Sequence, residues 1–208
     1  MVSDVCKDCN ALFKFLDAWP SVMPNEFPNK PFQYILSLEL AIVNSLPLLI
    51  AIGFVITFLI FRKKIYFLWI ASIIVALLSN ELMFKPMFHQ KRPEGSCSNS
   101  YGMPSGHSCF SGIFITWALF TYYKKHWTSR VLTWLLVLFG MNNMYGRLYL
   151  HYHSLLQILI GFIWGYLCTI TILLLFSTEV QLEEEADETK EEAEMLIVKN
   201  EQTLSEQV

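Results

Sequence analysis

Five long apolar stretches, almost free of charge, set the limits on how this chain can fold. Phe32 to Phe61 contains one charged residue, Glu39, and carries Pro47 as a kink. Ile65 to Phe84 contains only Glu81. Ser108 to Tyr123, Val131 to Gly146 and Leu155 to Phe176 contain none. A helix needs about 20 apolar residues to cross a hydrocarbon layer, with roughly 17 as the lower limit. The third and fourth stretches pass only if their ends reach into interfacial residues. Trp117, Tyr122, Tyr123, Trp127 and Trp134 flank or line them, as an aromatic belt does. Buried helices of a water-soluble core are the competing reading, which so many lightly charged stretches disfavour. The pattern predicts an all-α, polytopic integral membrane helical bundle. It has five spans, or six if a segment near Ala11 to Trp19 joins them.

Composition agrees. Charged residues make up 16% of the chain and mean hydropathy is +0.40, whereas soluble domains carry about a quarter charged residues. The charge is also divided. Residues 179–208 hold eleven acids and two lysines, a net of −9, while the preceding residues carry a net of +6. Three regions follow: an N-terminal segment 1–31, a membrane-embedded domain 32–178 and an acidic tail 179–208. The tail is low in complexity and expected to be disordered.

Basic loops orient the spans. Arg62-Lys63-Lys64 follows the first stretch, and Lys124, Lys125, His126 and Arg130 follow the third. Both fall on one side of a five-span arrangement, which the positive-inside bias makes cytoplasmic. The tail shares that side, and the N-terminal segment with loops 85–107 and 147–153 faces a lumen or the exterior. Lys85, Lys91, Arg92 and Arg147 lie there against the bias, so another cause must hold them. No cleavable signal peptide, N-x-S/T sequon or KDEL-type signal is evident. Cys6 and Cys9 form a lone C-x-x-C, which specifies no metal without a second pair or nearby histidine. A Cys6–Cys9 or Cys6–Cys97 disulfide suits an oxidising lumen. Cys109 and Cys168 sit within spans and read as packing residues.

Three clusters on the non-cytoplasmic side carry chemistry. Lys85 precedes Arg92-Pro93 by seven positions, about two helical turns. Pro86 and Pro93 disfavour helix at the residues before them, so a basic loop edge competes with an anion clamp. In Tyr101-Gly102-Met103-Pro104-Ser105-Gly106-His107, Ser105 is placed as an N-cap. Gly106 and His107 then fall in a first helical turn, whose free N–H groups suit an oxyanion. The third cluster is Gly146-Arg147, then His153 and Gln157. Spacing of four places His153 and Gln157 on one helical face, but the chain must turn or unwind for Arg147 to join them.

K-x6-R-P, P-S-G-H and R-x5-H in this order resemble the signature of the type 2 phosphatidic acid phosphatase superfamily of membrane lipid phosphatases. Lys85, Arg92, Pro93, Pro104, Ser105, Gly106, His107, Arg147 and His153 all match. Two positions depart: Gly146 where that family usually has Ser, and Gln157 where it usually has Asp. Within the family, Gln157 and the runs Tyr101 to Ser105 and Arg147 to Ser154 are similar to the dolichyldiphosphatase subgroup. The resemblance covers residues 36–176 and implies a PAP2/haloperoxidase-like helical core.

By that resemblance, His153 is the nucleophile that forms a phosphohistidine and His107 the general acid. Lys85, Arg92 and Arg147 clamp the phosphoryl group, Ser105 and the Gly106 amide add donors, and Gln157 orients His153. Such a clamp needs no metal or other cofactor. The implied substrate is an isoprenoid (dolichyl) lipid diphosphate taken from the bilayer, with no nucleic-acid partner. The product is the monophosphate, recycled as a glycan carrier for protein N-glycosylation at the lumenal face of the endoplasmic reticulum membrane. Phosphatidic acid, a sphingoid phosphate or another isoprenoid diphosphate is the alternative substrate, and a non-catalytic scaffold the rival outside enzymology. Gln157 cannot stabilise an imidazolium by charge. A diphosphate lessens that need, because its leaving phosphate has a pKa of ~6. His89 reads as interfacial, His151 as non-catalytic because it lies on another helical face from His153, Asn80 and Glu81 as structural pairing within a span, and Gly161-x-x-x-Gly165 as close helix packing.

Overall fold

The computed structural model describes residues 31–93, 96, 100–123, 130–149 and 151–205. Among them all regular structure is helical. Helix α1 is Pro31–Phe61, with Pro47 inside it. Helix α2, Lys64–Ser79, passes into a π-helical turn, Asn80–Phe84, and a short α3, Lys85–Phe88. Helices α4, Gly106–Tyr123, α5, Arg130–Tyr149, and α6, Leu155–Ser205, complete the order.

Helix α4 lies at the centre, packed against α6, α5 and α2. Nearly every side chain from Ser108 to Ala118 is buried, including Ser108, Ser111 and Thr116. Glycines set its approach to α6. A Cβ on Gly161 would run into the Ser105 carbonyl, one on Gly165 into the Cys109 carbonyl, and one on Gly112 into the Phe162 carbonyl. The G-x-x-x-G spacing is therefore a backbone contact surface, as small residues allow. Gly165→Ala is expected to destabilise the fold by about 1–3 kcal/mol through overpacking, measured as a lower unfolding temperature in detergent. An unchanged temperature would count against this contact.

Opposite α6, Trp69 of α2 stacks on Phe54 at 3.7 Å between ring centroids. It also meets Phe110 and Phe114 edge-on at about 6 Å. Trp117 Nε1 donates to Ser72 Oγ at 3.3 Å. Trp164 Nε1 of α6 donates to Ala76 O and Ser79 Oγ at 3.3 and 3.0 Å, fixing α2 where the π-helical turn begins. The polarity is inverted relative to a water-soluble domain. Asn80, Asn143, Arg147 and Gln157 are buried, while Ile60, Leu82, Trp134, Leu138 and Leu174 point outward. Such a surface suits lipid.

Among the described residues two helical segments are long and apolar enough to cross a membrane, Lys64–Phe88 and Leu155–Phe176; the apolar part of α1, Leu46–Phe61, is shorter. This is fewer than the five or six spans expected. Helix α4 is rich in Ser, Thr and Gly because its neighbours are helices, and α5 carries Asn142, Asn143 and Arg147 on its way to the clustered loops. Asn142 Nδ2 donates to Glu39 Oε1 at 2.8 Å, so the one charge of the first stretch is paired across α1 and α5. Where composition suggests a disordered tail, α6 instead continues to Ser205. Its acidic part is rich in Glu, Ala, Leu, Gln and Lys, without Gly or Pro, and extends a helix already nucleated. The segment 1–30 with Cys6, Cys9 and the Ala11 to Trp19 stretch, Cys97, and Lys124 to His126 lie outside the described residues.

Candidate active site

The beginnings of α4 and α6, the end of α5 and the loop after α3 meet at one end of the bundle. Helix α4 starts as the spacing predicts. Ser105 Oγ accepts from Ser108 N at 3.4 Å and from the Ser108 hydroxyl at 3.1 Å, so Ser105 is the N-cap and Gly106 the first helical residue. His107 occupies the same first turn, with its carbonyl accepting from Asn143 Nδ2 at 3.4 Å; that amide also donates to Ser111 Oγ at 3.0 Å. Ser105 N donates to the Gln157 carbonyl at 3.0 Å and joins the two helix starts.

Helix α6 begins with a reciprocal cap. Gln157 N donates to Ser154 Oγ at 3.4 Å, and Ser154 N donates to Gln157 Oε1 at 3.2 Å. This is the Ser-x-x-Gln capping box. The same Gln157 oxygen lies 3.2 Å from His153 Nδ1, and the Gly102 carbonyl lies 2.9 Å from it. Two acceptors at Nδ1 place the proton there and leave the lone pair on Nε2. Arg92 Nη1 sits 3.3 Å from Nε2 and donates towards it. Burial first, then the charges of Arg147 and Arg92, push the His153 pKa down to about 2, against the opposing pull of its bonds to Gln157 and Gly102. His153 is therefore a neutral imidazole with a defined tautomer, facing cations.

The remaining Gln157 donor reaches the loop after α3. Nε2 donates to Gln90 Oε1 at 3.1 Å and to the Lys91 carbonyl at 2.9 Å. Gly102 N donates to the Gln90 carbonyl at 2.8 Å. A Cβ on Gly102 would stand 2.7 Å from both Gln157 side-chain polar atoms and 2.9 Å from Arg92 Cγ. Only glycine fits where these three elements close.

The cations arrive from three directions. Arg92 is steadied by Ser100, with Nη2 donating to Oγ at 2.9 Å and Nε to the carbonyl at 3.3 Å. Arg147, fully buried at the end of α5, lies 4.3 Å above the Tyr152 ring. The unwinding expected between it and His153 is a turn in which the Arg147 carbonyl accepts from Tyr152 N and His153 N at 3.1 and 3.2 Å. Lys85 is nearly buried and pairs with Glu81 Oε1 at 2.5 Å. Glu81 thus engages Lys85, within its own span. His89 closes α3 in the left-handed region and meets the Tyr101 ring edge-on at 4.7 Å. His151 is exposed in the turn after α5. Hydrogen bonds thus join Arg92, Ser105, His153 and Gln157, while Glu81 pairs with Lys85 and lies 3.6 Å from where a Cβ on Gly106 would stand. Sequence reasoning missed Gly102, Gln90, Ser100 and Ser154; the Ser-x-x-Gln spacing was the available signal for the last. Among the described residues no three of His, Cys, Asp and Glu cluster as a metal site requires, and the converging donors suit an anion.

The chain matches the model of the PAP2 superfamily over residues 80–181, which contain this cation-lined histidine site. It is 33% identical over 149 residues to dolichyldiphosphatase 1 of Homo sapiens, covering 63% of this chain and 61% of that protein. To dolichyldiphosphatase 1 of Dictyostelium discoideum it is 33% identical over 144 residues, 60% of this chain and 61% of the relative. A lipid phosphate phosphatase gamma of Arabidopsis thaliana is 27% identical over 137 residues, 59% of this chain and 58% of the relative. The chain therefore spans about three fifths of the length of these curated relatives. No solved structure matches.

Proposed function

We propose that the chain is a lipid phosphatase that hydrolyses a polyprenyl diphosphate, of the dolichyl type, to the monophosphate and orthophosphate. The observation that carries this reading is His153, whose Nδ1 is held by Gly102 and Gln157 while Nε2 lies 3.3 Å from Arg92. A neutral imidazole with its lone pair among guanidinium groups is a nucleophile for an anionic phosphoryl centre. Nε2 forms the N–P bond as the bridging P–O bond breaks. The departing lipid phosphate takes its proton from His107. Water then attacks phosphorus, His107 receives its proton, the N–P bond breaks, and orthophosphate leaves neutral His153 behind. Arg92, Arg147, Lys85, Ser105 and the Gly106 amide hold the phosphoryl oxygens throughout.

The substrate tail lies in the bilayer and its headgroup enters at the clustered loops. Five spans, or six with an N-terminal segment, place those loops on the lumenal face of the endoplasmic reticulum and the acidic end of α6 in the cytoplasm. The reaction there recycles the lipid carrier for protein N-glycosylation. The similarity to dolichyldiphosphatases supports the diphosphate, and so does Gln157, which lends His153 no negative charge. Phosphate release from dolichyl diphosphate and from phosphatidic acid, compared in detergent without divalent metal, tests the reading. The diphosphate is expected to be the faster substrate by about tenfold or more, since its leaving group is the weaker base. A preference for phosphatidic acid would overturn the diphosphate assignment.

A further inference from the structure

Asn80 opens the π-helical turn and has no solvent exposure. Neither its Nδ2 nor its Oδ1 has a hydrogen-bond partner among the described residues. Buried amides are nearly always paired, and an unpaired one calls for an explanation. The surroundings supply one. Nδ2 lies 3.7 Å from the point where a Cβ on Gly106 would stand, beside the first turn of α4. Glu81 Oε1 faces the same point at 3.6 Å, and its charge is engaged by Lys85. The missing side chain of Gly106 thus lets the first turn of α4 lie against a buried amide and a lysine–glutamate pair. Helix N-termini attract anions, and the buried, unpartnered amide facing this one is a second, independent feature of a ligand site. Local geometry produces it: a π-helical turn shifts the residues that follow it relative to an α-helix, and such turns mark functional positions.

We propose that Asn80 is a phosphate-contacting residue, donating from Nδ2 to a non-bridging oxygen of the phosphoryl group seated at the start of α4. Its Oδ1 accepts from the water or phosphoryl hydroxyl that enters with the ligand. The inference rests on the phosphatase reading above and assigns that site a donor from α2. It also explains why an amide occupies a position where a purely structural role would favour an apolar side chain.

Thermal unfolding of the full chain in detergent, with orthophosphate as the probe, tests the contact apart from turnover. Wild type should be stabilised by orthophosphate. Asn80→Ala should unfold within a few degrees of wild type when phosphate is absent, because no internal bond is lost, and the isosteric Asn80→Asp lower, because it buries a carboxylate next to Glu81. Each should need about tenfold more phosphate for the same shift, the loss expected for one hydrogen bond to a charged group, with Asp the worse for its charge. With lipid diphosphate as substrate, KM should rise together with a fall in kcat. Equal phosphate dependence in wild type and variants would overturn the proposal. So would collapse of both variants, which would assign Asn80 to the scaffold, or the absence of any shift in wild type. A phosphate shift that depends on Asn80 without lipid diphosphate hydrolysis would sink the phosphatase reading and leave the anion contact standing. Hydrolysis that is indifferent to Asn80 would do the reverse.

Discussion

Replacing His153 by alanine is expected to lower phosphate release from a polyprenyl diphosphate by at least about a thousandfold, since no other group takes over an N–P bond. The protein should remain folded. The imidazole's bonds are to Gly102, Gln157 and Arg92; Gln157 keeps its capping box and its bonds to the loop after α3, and Arg92 its bonds to Ser100. Stability against pH gives a second readout. His153 resists protonation until about pH 2 in the folded chain, whereas an unfolded histidine takes up a proton near pH 6.5. The unfolded state therefore binds more protons between those values, and the folded state loses stability as pH falls below about 6.5, by up to ~1.4 kcal/mol per pH unit from this group. His153→Ala removes that slope. Its unfolding temperature should fall less steeply than that of wild type from about pH 6.5 to 4.5. Activity retained in the variant would sink the phosphohistidine mechanism.

Gln157→Asp should impair the protein, although the resembling family usually has Asp there. The expected loss in kcat is about ten- to a hundredfold. Gln157 Oε1 accepts from Ser154 N and from His153, while Nε2 donates to Gln90 and Lys91. A carboxylate supplies the acceptors but neither donor. It is also shorter by a methylene, and it leaves the Lys91 carbonyl facing negative charge. The loop that carries Arg92 is then released from the nucleophile's support. The new carboxylate also favours the imidazolium, so the His153 pKa must rise. The protonated fraction then grows from the acid side, and the acid limb of the pH–rate profile should move to higher pH. A pH–rate comparison of the two proteins measures both effects. Equal kcat and an unmoved acid limb would show that Gln157 neither holds the loop nor tunes His153.

What was legible in the sequence was local or ordered along it. Ser105 as an N-cap, Gly106 in a first turn and the need for a turn between Arg147 and His153 follow from spacing and backbone chemistry. The structure has each of them. The cap on α6 was also local, but Gln157 read as a catalytic departure drew attention from Ser154. Gly102 and Gln90 could not be read, because their partners stand tens of residues away and their groups are mostly backbone. Asn80 stood out only as a polar residue in an apolar stretch. Its relation to Gly106 depends on how α2, with its π-helical turn, is set against α4. Of the five or six spans expected, only two are met by length and apolarity among the described residues, for a physical reason. A helix enclosed by other helices, as α4 is, needs small and hydroxylated residues more than lipid-soluble ones.

The capping box of α6 and the clasp on His153 share one side chain. Fraying of that first helical turn, among the least costly openings available to a helix, therefore also removes one of the two acceptors at His153 Nδ1 and frees the loop after α3 from Gln157. Catalytic competence and the integrity of one helical turn form a single cooperative unit. On warming, activity should disappear in a transition of its own while the helical signal of the bundle is still intact.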